Sequence, residues 1–152
     1  MITTLLIVHS LMAVARLGAI THQSLSVWWP SNARSKSFFA SFRGVPAASY
    51  TTPIIVLFVI TATIGAIIYP SYRLSVRIIL ENLRFFAATG SFELKEHFVS
   101  IGLGLLPVYW YAWRQGDDYR RTRAVLTAIL AFIVWWSFIV GHVLNNIRGF
   151  GS

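Results

Sequence analysis

The chain has no cysteine, which excludes disulfides, thiolate nucleophiles, iron–sulfur clusters and thiolate zinc sites as intrinsic chemistry. Acid is scarce as well: five Asp and Glu stand against 13 Lys and Arg in 152 residues, a formal charge of +8. Polar stretches are short, because 56% of the residues are hydrophobic and the mean hydropathy is +0.64. Such a chain is too apolar for an ordinary soluble domain and too short for several domains, so residues 1–152 read as one membrane-embedded unit. No Walker loop, GxSxG elbow, HExxH or GxGxxG pattern occurs, which argues against an autonomous hydrolase or nucleotide enzyme. The basic residues lie between apolar runs. There they act as orientation signals and lipid-headgroup contacts rather than as a nucleic-acid surface.

What is present is a set of apolar runs long enough to cross a bilayer, which takes ~20 residues of helix. The expected spans are 2–21, 52–69, 96–113 and 124–144, with Pro70 stopping the second and Pro107 kinking the third. The amino-terminal run lacks the basic leader of a signal peptide and contains His9 and Arg16, so it reads as a retained first helix. Residues 72–88 place Arg73, Arg77, Glu81 and Arg84 three or four apart among Leu, Ile and Phe, the pattern of an amphipathic helix lying in the interface. The expected fold is an all-α integral membrane protein, four helices in an up-down bundle with this interfacial helix between the second and third.

Arg34, Lys36, Arg43, Arg114, Arg120, Arg121 and Arg123 fall on one side of such a bundle, and Arg73, Arg77, Arg84, Lys95 and Arg148 on the other. The excess places the first and third loops in the cytoplasm and both termini outside, as in a bacterial inner membrane. Trp28 and Trp29, and Tyr109, Trp110, Tyr111 and Trp113, suit interfacial belts. Trp135 and Trp136 lie near mid-membrane, suited to packing on a partner, lipid or a cofactor ring. Arg16 lies near the end of the first expected span and is expected to snorkel. Ser91, with Glu93 and Glu96 after it, suits a helix start whose acids complement the helix dipole. Asp117 and Asp118, set among arginines, suit a loop ion-pair network.

Three of the four histidines fall at one level of the bundle. At ~1.5 Å per residue, His9 lies roughly 10 Å below the start of the first helix and His142 roughly 5 Å from the end of the fourth, while His97 begins the third on the same side. His22, at the far end of the first span, reads as structural. Ionisable residues inside a span are costly and turn inward toward partners. Imidazoles on facing helices of a bundle are what b-type haem takes as axial ligands. His9 and His142 are the preferred ligands, with His97 as substitute and Arg73 and Arg77 near the propionates. The small residues Ala13, Gly18, Gly65, Gly102 and Gly104 suit close approach of a macrocycle or a helix.

Other assignments use the same residues. His9, His97 and His142 with Glu93 or Glu96 make a non-haem metal set, although Glu96 and His97 point about 100° apart on a helix. Glu96 and His97 also suit a proton or quinone relay. The pattern of four helices with scattered histidines resembles, in architecture, the small cytochrome b-type anchors of respiratory complexes, without their extended histidine motifs. The expected function is a small membrane subunit of a respiratory or electron-transfer complex, not an autonomous enzyme, binding haem b and exchanging electrons with quinone. Its partners are the bilayer and a larger membrane complex or further copies of itself, with no nucleic acid. The alternative is a cofactor-free accessory subunit that stabilises such a complex, and a transporter built from several copies ranks third.

Overall fold

The protein is described here from a computed structural model covering residues 2–28 and 46–150, for 147–150 as backbone only. Trp29, Arg34, Lys36, Arg43 and the Arg148 side chain therefore lie outside the described residues. These residues are almost entirely helical, without strands, in four long helices and one short one. Helix α1 spans Ile2–Trp28, α2 Thr51–Ser71, α3 Ile78–Asn82, α4 Phe86–Arg114 and α5 Arg120–Phe150, with 3₁₀ turns at Ala47–Tyr50 and Asp117–Tyr119. Three stretches are long and apolar enough to cross a membrane: Ile2–Trp28, Ala47–Asn82 and Asp117–Asn146. Helix α4 was expected as a fourth and is not among them. Its first half carries Glu93, Lys95 and Glu96, and its second half is diluted by Pro107, Tyr109, Trp110, Tyr111 and Trp113.

The boundaries differ from the sequence expectation in three places, each with a local cause. Pro70 does not end its helix. The chain runs past it into a π-helical segment, Tyr72–Arg77, and on into α3. Wider π turns are a common way for a helix to absorb a local defect, such as the missing N–H and bulky ring of a proline. The segment expected as a separate interfacial helix over 72–88 is thus the extension of α2, broken at Leu83–Phe85. There Arg84 takes φ 61°, the left-handed turn that lets α4 depart in a new direction. Helix α4 then starts at Phe86, ten residues before its expected span, so Ser91, Glu93 and Glu96 lie inside it rather than at its start. The acids find partners instead of a dipole. Arg77 pairs with Glu81 at 2.6 Å and with Glu93 at 2.7 Å, while Lys95 pairs with Glu96 at 2.9 Å.

The tightest packing gathers at one end of the molecule. Ile20, Ile54, Phe58, Leu106, Tyr109, Leu126, Leu130 and Val134 form a continuous core from α1, α2, α4 and α5. Gly102 makes this possible: a Cβ there meets Phe58 Cζ at 2.5 Å, so the ring lies directly on the α4 backbone. Gly18 and Gly104, expected as similar contacts, have nothing within 4 Å.

A polar knot closes the same end. The Tyr109 hydroxyl donates to Gln23 Oε1, and Gln23 Nε2 donates to the Ala47 carbonyl at 2.9 Å and Thr51 Oγ1 at 3.2 Å. Both Gln23 and Tyr109 are fully buried. His22 stacks on Tyr50 beside them, with ring centroids 4.4 Å apart. Tyr109→Phe leaves the Gln23 oxygen buried without its donor, so a loss of about 1–3 kcal/mol is expected in denaturant titrations of the detergent-solubilised protein. An unchanged midpoint would mean that the knot is slack.

Trp135 Nε1 donates to Thr21 Oγ1 at 3.0 Å, tying α5 to α1 at this level. Beyond that tie a second, smaller core of Leu80, Val140 and Leu144 joins α3 to α5. A groove adjoins this second core and shares Phe92 with it. In the loop at the closed end, Asp117 pairs with Arg123 at 3.6 Å, and Arg114 and Arg123 lie over Trp110 and Trp113.

Candidate functional site

The groove has a volume of about 620 Å³, and α1, α2, α4 and α5 all contribute to its wall. Leu6, Ile7, Leu11, Val14 and Ile68 make much of it apolar. One flank is aromatic: Tyr72 and Phe92 stack with centroids 3.8 Å apart, and Tyr69 lies 6.1 Å from Phe92. His9 and His142 both line it, the first from α1 and the second from α5. Helices α1 and α5 are tied at Thr21–Trp135, and both imidazoles lie on one space.

The two histidines are held differently. His9 is half-buried, with its ring toward α2: a Cβ on Gly65 meets His9 Cε1 at 3.4 Å. Its Nδ1 is buried with no hydrogen-bond partner and faces α2, 4.0 Å from a Cβ on Gly65. His142 is exposed at the rim, nearly parallel to Phe138 with centroids 6.3 Å apart.

The other residues expected at the site lie elsewhere. His97 is exposed, and its Nδ1 is 2.7 Å from the Glu93 carbonyl one turn back. It does not line the groove. Arg77 is engaged by Glu81 and Glu93, and Arg73 lies 5.9 Å over the Tyr69 ring, behind the aromatic flank. Among the described residues no group of three or more His, Cys, Asp or Glu is placed to hold a metal ion. What shares the groove is a pair of imidazoles.

Arg16 corrects a sequence expectation. It does not snorkel: it is only 4% exposed, with its guanidinium 4.7 Å from the Phe58 centroid. Because α1 continues to Trp28, Arg16 stands near the middle of its helix, roughly 18 Å from that end at ~1.5 Å per residue. That is too far for a side chain to reach water, so it turns inward. Together with His9, Thr61, Lys95, Glu96 and Ser137 it lines a small cavity of about 60 Å³, which shares several of its residues with the groove. Arg16 lies seven residues after His9, which puts the two on one face of α1. The missing signal was helix length, which decides between snorkelling and burial.

Comparison with protein families, curated proteins and solved structures gives no match for this chain.

Proposed function

We propose that the protein is a small integral membrane subunit of an electron-transfer complex, an up-down bundle that binds b-type haem between His9 and His142 and exchanges electrons with quinone. The observation that carries this reading is that the two imidazoles, from different helices, line one groove of about 620 Å³. That groove has apolar walls and an aromatic flank, the surroundings a macrocycle requires. The outer faces support a membrane setting, since Ile67, Ile101, Val108, Phe132 and Ile139, none of them in the groove, are each at least half exposed, as lipid-facing side chains are. Leu74, Ile79, Phe85 and Phe86, equally bare around the α3 turn, suit the headgroup boundary. The arginine excess in the first and third loops puts both termini outside, in a membrane such as the bacterial inner membrane. When bound, haem supplies one-electron chemistry. The chain's part is to hold the iron with two imidazoles and to keep the ring in an apolar slot.

The test is a reduced-minus-oxidised visible spectrum of the protein solubilised in mild detergent, with pyridine haemochrome quantified against protein. A b-type α-band at near-stoichiometric haem is expected. A flat spectrum from haem-sufficient cells overturns the reading and leaves a cofactor-free accessory subunit.

A further inference from the structure

The interior of this bundle holds more positive than negative charge. Arg16 and Lys95 line the small cavity together with one acid, Glu96. Glu96 is taken by Lys95, whose Nζ also lies 4.0 Å over the Phe92 ring. Were Glu96 to turn toward Arg16, Lys95 would be left bare, so one cation remains unpaired in either arrangement. The rest of the chain has no acid to offer. Of its five carboxylates, Glu81 and Glu93 hold Arg77, Asp117 holds Arg123, and Asp118 is exposed in the loop at the far end. Arg16 Nε is buried with no hydrogen-bond partner, and so are His9 Nδ1 and the Tyr72 hydroxyl, on residues that line the adjoining groove. An unpaired buried charge costs several kcal/mol and is retained where a partner arrives to meet it.

We infer that Arg16 receives the carboxylate of a hydrophobic acid lying in the groove. Phe58 covers one face of the guanidinium, so its edge, where carboxylates dock in pairs of hydrogen bonds, is what the cavity can use. The cavity, about 60 Å³ on a scale where one water takes ~10–15 Å³, admits a carboxylate better than a phosphodiester with its glycerol. The adjoining groove supplies the apolar bed for the rest of the molecule. This site stands on charge and burial alone and does not require haem. A haem propionate is one source of the carboxylate and an acyl chain is another.

Two matched ligand pairs separate these sources. The first is oleate against oleyl alcohol, and the second is haemin against haemin dimethyl ester. Each pair shares its apolar body and differs in the acid, and each is titrated into purified protein in mild detergent at mildly alkaline pH. Binding is read by quenching of tryptophan fluorescence and by thermal shift. Wild type is expected to prefer the acid of at least one pair by about tenfold, the worth of a charge-assisted contact. Arg16→Gln should erase that preference and Arg16→Lys should keep part of it. Preference for oleate without haemin binding supports the site and removes the haem reading. Preference within the haemin pair supports the site and names the propionate. Haemin and its ester binding equally, with no preference for oleate, overturns the inference and spares the haem. Because the ligand comparison is made on wild type, a poorly folding Arg16→Gln leaves the test intact.

Discussion

Replacing His9 with alanine is expected to abolish the b-type α-band, from near-stoichiometric haem to none, while the protein still inserts and unfolds close to its original midpoint. The ligand is lost because His9 is the imidazole that α1 supplies to the groove. The fold survives because the contacts that join α1 to its neighbours lie lower, at Thr21–Trp135 and at the Gln23 knot. His142→Ala is expected to do the same to the spectrum. His97→Ala is expected to leave it unchanged, since that ring sits outside the groove against its own helix. Gly65→Leu is a second route to the same loss. The space in front of Gly65 is filled by the His9 ring, 3.4 Å from an added Cβ, so a branched side chain must push the imidazole aside. If His97→Ala bleached the spectrum and His9→Ala did not, the ligand pair would be wrong even though haem was present.

The apolar runs made four helices legible from residue type alone, because a long apolar run can satisfy its backbone amides in lipid only as a helix or a closed barrel. What composition could not set were the ends. The π segment follows Pro70, and the left-handed Arg84 turns the chain between α3 and α4; no hydrophobic periodicity encodes either. The ends mattered for chemistry. Seven further residues on α1 turn Arg16 from a snorkelling surface cation into a buried one, and the early start of α4 turns Glu93 and Glu96 from dipole-complementing acids into ion-pair partners. That His9 and His142 share a groove accords with a residue count that puts them at one level. Which way His97 faces was not readable, because that depends on the rotation of α4, fixed by Phe58 on Gly102 and by Phe98 against Phe132 and Trp136.

That Phe58–Gly102 contact is expected to show a reversal of sign. Phe58 is fully buried, and Phe58→Ala should cost about 3 kcal/mol, the lower edge for a buried phenylalanine because an apolar solvent reduces the transfer part and leaves the cavity part. It also strips the ring from the Arg16 guanidinium 4.7 Å away, a contact worth roughly 0.5–2 kcal/mol. Gly102→Ala alone should cost about 1–2 kcal/mol, because its Cβ meets three atoms of the Phe58 ring at 2.5, 3.2 and 3.3 Å and an enclosed ring has little room to move. In the Phe58→Ala background the obstacle is gone, and alanine in a helix interior is favoured over glycine by up to ~1 kcal/mol. Gly102→Ala should then stabilise. The coupling of about 2 kcal/mol or more is far outside additive behaviour and is read directly from four denaturation midpoints. Equal costs of Gly102→Ala in both backgrounds would place the strain in α4 itself and remove Phe58 as the residue that sets its rotation.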